Sequence, residues 1–310
     1  MLKLIAYRIL QFPLIMAIIY LVTFALAWMA PGSPFEAGDR KMDPMAEKTL
    51  REHFHADSWY KFLGYYPYRI VRHGDLGRSM RYQGFTVNEI IAKSLPVSVA
   101  LGMFALTLAT FAGIGVGTLA AVRRGGLFDW LSLTLALVGI SVPSFVAASL
   151  LLTVFFVYWP VFPIGRFESL ADLVLPGVAL SLIPMAYIAR LTRVSMIDVL
   201  SNDYVRTARA KGLSRSSVIW KHCLRNAFLP VLSYLGPAAA ATFTGSFVVE
   251  KVFDIPGLGQ HFVNSVRNRD QTLILGAVMV YSLFLMSFNL LVDIGYTVVD
   301  PRIDPEANKQ

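Results

Sequence analysis

The residues best suited to do chemistry form one run, Asn202 to Pro230, with the sequence NDYVRTARAKGLSRSSVIWKHCLRNAFLP. It carries six cations, Arg206, Arg209, Lys211, Arg215, Lys221 and Arg225, against a single carboxylate, Asp203. Such a run recognises a partner; it makes and breaks no bonds. The chain contains no G-x-x-x-x-G-K-[ST] phosphate loop, no H-E-x-x-H and no G-x-S-x-G pattern. Its five histidines, His53, His55, His73, His222 and His261, all fall outside the apolar stretches. The sequence therefore predicts no catalytic residue, no metal site and no ATPase site of its own.

Local signals position these cations as a helix–turn–helix hairpin. Asn202 or Asp203 can cap a short helix, and Tyr204, Val205, Arg206, Thr207, Ala208, Arg209, Ala210 and Lys211 include strong helix formers. Gly212 falls where a helix end wants a residue tolerant of positive φ. Ser214 can cap a second helix, with Val218, Cys223 or His222, and Leu224 on one side and Lys221 and Arg225 on another. A plain reading is that these are the positive charges of any cytoplasmic loop. Against it, Thr207, Ala208 and Ala210 supply a small-residue face that lets a partner approach, and charge alone needs neither caps nor a turn.

The run lies in an apolar chain. Of 310 residues 55% are hydrophobic and 15% charged, with mean hydropathy +0.56. Soluble domains carry about 25% charged residues. About 20 apolar residues cross a bilayer, and six such spans occur: Ile9–Met29, Val97–Val122, Trp130–Tyr158, Leu173–Leu191, Val231–Val249 and Leu273–Val299. The first is too long for a signal peptide and lacks a cleavage site after it. The net charge of +8 then reads as topology. Lys3, Arg8, Arg123, Arg124, Arg302, Lys309 and the hairpin cations gather on one side; the short loops opposite hold Arg166, Lys251, Arg267 and Arg269. That asymmetry predicts both termini in the cytoplasm and argues against nucleic acid as the partner. Cys223 is the only cysteine, so no intrachain disulfide forms.

The segment from Gly32 to Leu95 reads as helical and extracytoplasmic. Ala46, Leu50 and Phe54, then Trp59, Phe62, Leu63 and Tyr66, recur at helical spacing. Trp59, Tyr60, Tyr65, Tyr66 and Tyr68 form an aromatic group suited to a membrane interface or to a docking surface. Thr86 to Glu89 fits a capping box, and Pro96 is read as separating that helix from the second span. Gly113 and Gly117 form a small-xxx-small face for helix packing. Arg190, Glu250 and Asp293 are the chief ionisable residues near the spans, each read as lying toward a helix end.

The hairpin resembles the cytoplasmic coupling ("EAA") loop of bacterial ABC-importer permeases, in the form found in the oligopeptide/dipeptide family. The family pattern of Glu-Ala-Ala, three residues and Gly corresponds to Arg206, Thr207, Ala208 and Gly212, with the Glu absent as in the peptide branch. APGSPF, GDLGRS, VPSF, LPVLSYLGPA, TGSFVVE, IPGLGQHFVN, NRD and DPRI extend the likeness over nearly the whole chain, closest to the B-type permease subunit. The resemblance implies an all-α membrane protein with the type I ABC-importer permease fold. Its parts are an N-terminal transmembrane helix (1–31), an extracytoplasmic helical segment (32–95), a five-helix permease core (96–300) with the coupling loop at 202–228, and a cytoplasmic tail (301–310). It also implies a gate-like loop at Pro256, Gly257, Gly259 and Asn264. The implied partners are a second homologous permease subunit, two ATP-binding subunits that use ATP and Mg, an extracytoplasmic substrate-binding protein and the lipid bilayer. The implied cargo is oligopeptides, with dipeptides or nickel chelates as alternatives, in the bacterial inner membrane. A stand-alone secondary transporter is the more distant reading; no internal repeat supports it.

Overall fold

The computed structural model describes residues 2–33, 35, 43–82, 84–162, 165 and 167–299. Among them every regular element is helical, and the β pairing is one isolated bridge between Arg78 and Thr86. The helices are α1 (Leu2–Met29), α2 (Pro44–His53), α3 (Trp59–His73), α4 (Val87–Val122), α5 (Leu127–Ser141) and α6 (Ser144–Leu152), which runs on into a π-turn at Thr153–Tyr158. They continue with α7 (Ala171–Leu200), α8 (Asp203–Ala210), α9 (Arg215–Ser217), a π-turn at Val218–Cys223, α10 (Leu224–Ala227), α11 (Leu229–Phe253), α12 (Leu258–Asn268) and α13 (Gln271–Val299).

Among the described residues, five helices are individually long and apolar enough to cross a membrane, in α1, α4, α7, α11 and α13. The sixth expected span, Trp130–Tyr158, is broken: α5 and the α6 stretch meet at 101°. Pro143 causes the break. It lacks an N–H and drives the preceding Val142 to an extended conformation (φ −90°, ψ 118°). Pro96, by contrast, does not separate two helices, and α4 passes through it unbroken from Val87 to Val122. A helix in apolar surroundings keeps its remaining hydrogen bonds because no water competes for them. The expected fourth span ended at Leu191, but α7 runs on to Leu200, so Arg190 is mid-helix and not near its end.

The chain divides into two units. One comprises residues 6–98 and 256–286. Its core stacks aromatic rings: Tyr20, Phe24, Phe62 and Tyr66 are buried with Phe35, Met80 and Leu275. The Tyr20 hydroxyl donates to the Leu63 carbonyl at 2.9 Å and that of Tyr66 to Thr272 at 3.0 Å. The aromatic group seen in the sequence is therefore split, with Tyr66 inside while Trp59, Tyr60, Tyr65 and Tyr68 stay exposed. The capping box forms as expected: the Thr86 N–H donates to the Glu89 carboxylate at 3.0 Å, and the Glu89 N–H donates to Thr86 Oγ1 at 3.2 Å.

The same unit joins GDLGRS to NRD through one carboxylate. Asp270, fully buried, accepts from Ser79 Oγ, from the N–H groups of Met80 (3.2 Å), Arg81 (3.3 Å) and Leu273 (3.1 Å), and from Thr272 Oγ1 (2.9 Å). It opens α13 and ties down a loop some 190 residues away in sequence.

The other unit takes in the described residues of 2–5, 99–255 and 287–299. Here α7 is the central helix, with 61% of its apolar window buried. α4 packs against it through Gly113 and Gly117: a Cβ at Gly117 would overlap the Ala189 carbonyl, and one at Gly113 would lie 2.9 Å from the Met185 carbonyl. Glycine is required there because the two backbones come within contact distance. A bidentate ion pair joins α5 to α7: Arg193 donates through Nε and, at 2.8 Å, through Nη2 to Asp129, which also accepts from the Gly125 N–H at 2.9 Å.

Replacing Asp270 by Ala strands several buried donors at once. Losing hydrogen bonds to a charged, buried acceptor costs about 1.5–3 kcal/mol each when they act singly. Asp270→Ala is expected to lower the apparent Tm of the assembled protein sharply, with Asp270→Asn intermediate. A Tm equal to wild type for the alanine variant would show that this junction contributes little.

Candidate functional site

The hairpin between α7 and α11 folds close to its sequence expectation. Asn202 occupies the N-cap of α8, but its side chain makes no capping bond, contrary to one of the two caps expected; the Asn202 carbonyl takes the Val205 N–H at 3.1 Å. The turn closes through Lys211 N–H to Thr207 (3.0 Å), Gly212 N–H to Arg209 (2.9 Å) and Leu213 N–H to Ala208 (3.3 Å). Gly212 sits at φ +78°, the left-handed region that glycine enters without steric cost. Ser214 caps the second arm as expected, its Oγ accepting from the Ser217 N–H at 3.3 Å. That arm is not one regular helix. It is α9, a π-turn and α10, and the π-turn brings Val218 and Cys223 to the same buried side.

The two arms close on an apolar seam. Val205, Val218, Cys223 and Ala227 are each at most 1% exposed and pack with Met196 of α7 and Ala121 of α4. Ala208 lines its edge. Of the alternatives Cys223 and His222, Cys223 is inside and His222 is exposed. Asn226 Nδ2 donates to the Tyr204 hydroxyl at 3.0 Å, a direct tie between the arms. Burial pushes the Cys223 thiol above its ordinary range, with Arg209 acting weakly in the other direction.

All six cations stand on the outer surface. Arg206 reaches Asp203 at 3.4 Å, an exposed contact of little energetic weight. Thr207 and Ala210 are also exposed. Between the cations stand three partly exposed apolar groups, Tyr204 (40%), Leu213 (42%) and Trp220 (54%). The sequence reading missed Leu213 and Trp220. The available signal was phase: Trp220 lies two residues after buried Val218 and so faces away from the seam. A surface of cations around aromatic and aliphatic anchors suits an acidic partner with an apolar pocket.

The hairpin has almost no slack where it joins the long helices. Ser201 and Asn202 alone separate α7 from α8, and Phe228 alone separates α10 from α11.

The expected gate residues lie elsewhere. Pro256, exposed, and Gly257, the buried N-cap residue of α12, precede that helix; buried Gly259 and half-buried Asn264 are inside it. The Leu258 N–H donates to Ser98 Oγ at 2.8 Å, which anchors the start of α12. Glu250 is fully buried near the end of α11 and accepts from Ser246 Oγ at 3.0 Å. Of the ionisable residues in the spans, the Asp129–Arg193 pair was not foreseen, because nothing local links residues 64 apart. DPRI and the tail 301–310 lie outside the described residues.

The family described as binding-protein-dependent transport system inner membrane component matches residues 113–305, a stretch that includes the hairpin. Over 286 residues the chain is 42% identical to the dipeptide transport system permease protein DppB of Bacillus subtilis (strain 168), covering 92% of each. It is 40% identical over 306 residues to the oligopeptide transport system permease protein OppB of Salmonella typhimurium, covering 98% of this chain and 99% of that one. In fold it is similar to a chain from the crystal structure of an amino acid ABC transporter with histidines. That match has a TM-score of 0.54 at 16% identity and covers 67% of this chain and 94% of the other.

The lone buried thiol reports whether the seam is closed. N-ethylmaleimide at neutral pH is expected to leave Cys223 unlabelled in the native protein and to label it fully after denaturation. Val205→Ala, which opens a cavity beside it, should speed native labelling at least tenfold. Fast labelling of the wild type would mean that the hairpin does not rest closed on α7.

Proposed function

The chain belongs to the family of binding-protein-dependent transport system inner membrane components, and on that premise we propose that it lines a path for oligopeptides and receives its drive from ATPase subunits seated on the Asn202–Phe228 hairpin. One observation carries the coupling part: a cationic surface with exposed anchors rests on a closed apolar seam, one residue from α11 and two from α7. A push on that surface is delivered to two membrane-spanning helices.

The coupling residues are Tyr204, Arg206, Thr207, Ala208, Arg209, Ala210, Lys211 and Gly212. Three of them have structural tasks. Tyr204 ties the arms together, Gly212 sets the turn and Ala208 lines the edge of the seam, while the outward cations with Thr207 and Ala210 form the contact. ATP and Mg act in the partner subunits, since this chain has no phosphate loop. Its work is to couple two rigid-body states, one favoured by ATP and the other by loaded binding protein.

Cargo follows from the relatives' names. Proteins named for oligopeptide and for dipeptide transport match over nearly the whole chain. Oligopeptides are the main proposal and dipeptides the alternative. The complete transporter then holds a second homologous permease, two ATP-binding subunits and an extracytoplasmic binding protein. The distribution of Lys and Arg supports both termini, and the hairpin, on the cytoplasmic side, with the 32–95 segment and the Pro256–Asn264 region outside.

Gly212 gives the sharpest test. No atom lies within 4 Å of a Cβ built there, so a side chain has room and only the backbone objects. A non-glycine residue in this region costs about 1–2 kcal/mol, more when β-branched, whereas asparagine tolerates it. In proteoliposomes with all partner subunits, Gly212→Val is expected to cut peptide transported per ATP hydrolysed at least tenfold, and Gly212→Asn to keep it near wild type. Oligopeptide- and dipeptide-loaded binding proteins offered in turn identify the cargo by which one stimulates ATP hydrolysis. Normal coupling in Gly212→Val would remove the hairpin from the mechanism.

A further inference from the structure

A second site lies in the 6–98 and 256–286 unit, which holds none of the coupling residues. A cavity of about 350 Å³ opens there against one face of α3. Phe62, Tyr65, Tyr66, Arg69 and His73 line it at spacings of three and four residues, the repeat that puts helix side chains on one stripe. The last turn of α2 and the bend after it add His53, Phe54 and His55, and Arg78 and Thr272 complete the wall.

The chemistry of the lining is one-sided. Among the described residues, three imidazoles and two guanidiniums face the cavity and no carboxylate does. Asp75 holds Arg69 through Nε at 2.9 Å and a second bond from Nη2, so that guanidinium is a fixed part of the wall. Arg78 has no carboxylate partner among the described residues. Its backbone is pinned by the bridge to Thr86 and by the Thr272 hydroxyl at 2.8 Å, while its side chain is exposed. It therefore offers a planar fork of donors from a backbone position that is held in place, and such a fork takes a carboxylate with two parallel hydrogen bonds.

The floor is aromatic. Phe62 and Tyr66 stack at 5.5 Å with planes 16° apart, and Tyr65 packs against His55 at 4.2 Å. Phe62 and Tyr66, 1% and 2% exposed, are the packed base beneath the cavity, and exposed Tyr65 with half-buried Phe54 offers a ligand its apolar surface. The volume lies in the range of small-molecule sites. A bare inorganic anion would use the cations and leave the rings idle.

We propose that this cavity binds a small organic acid from solution, its carboxylate held by Arg78 with the histidines and its apolar or aromatic body against Tyr65 and Phe54. The site stands on this unit alone and does not depend on the cargo or on the hairpin.

The test uses the full transporter complex in nanodiscs of phosphatidylcholine only, so that no anionic lipid competes. Titration calorimetry with 3-phenylpropionate should show saturable binding, weakened at least tenfold in Arg78→Gln and weakened in His73→Gln. Both residues are exposed, so the variants should keep wild-type Tm and ATP hydrolysis. 2-Phenylethylamine, with a similar body and opposite charge, should bind at least tenfold more weakly, and inorganic phosphate should also bind more weakly than the acid. The proposal is overturned if 3-phenylpropionate does not saturate, if both variants bind it as wild type does, or if the amine or phosphate binds as tightly.

Discussion

The burial of Val205, Val218, Cys223 and Ala227 against Met196 and Ala121 is the contact on which the cationic surface of the hairpin depends. Two short arms of eight residues and of broken helix have too few internal hydrogen bonds to hold shape in water. Their order comes from apolar side chains withdrawn from solvent, each worth about 1.5–3 kcal/mol when a valine-sized group is fully buried. With that seam closed, the cations have one direction left to face. Charge placement on the outside is a consequence of packing on the inside.

The same division of labour recurs in the spans. Hydrocarbon gives helices no reason to associate by excluding water, so close approach and polar ties do the joining. Gly113 and Gly117 supply the close approach between α4 and α7, and the Asp129–Arg193 pair supplies the tie between α5 and α7. α7 thus receives both kinds of contact, which suits a helix whose far end carries the hairpin. Breaking one member of that pair would leave a charge in poor surroundings, a costlier change than replacing both.

Much of this was legible from sequence where the signal is local. Gly212, the Ser214 cap and the Thr86–Glu89 capping box act within four residues, and each formed as read. The prolines show where local reading stops: Pro96 is absorbed by a continuous helix and Pro143 breaks one by 101°. Both remove one hydrogen bond; what decides is whether neighbouring helices hold the backbone straight, and that is a property of the assembled structure. Ties such as Asp129 to Arg193 and Asp270 to Ser79 join distant segments and leave no periodic trace. Nor did the group Trp59, Tyr60, Tyr65, Tyr66 and Tyr68 announce that Tyr66 would turn inward and leave the other four exposed, although its i+4 spacing from buried Phe62 was the available clue.

The single-residue junction at Phe228 has a consequence for how such a chain can vary. A helix turns by about 100° per residue. One residue inserted between α10 and α11 would rotate every side chain of α11 away from its neighbours relative to the hairpin, and a deletion would do so in the opposite sense. Lengths here are therefore phase-locked like the teeth of meshed gears. Surface cations of the hairpin can drift in identity, but the spacing that connects them to the membrane helices has no freedom to change by one.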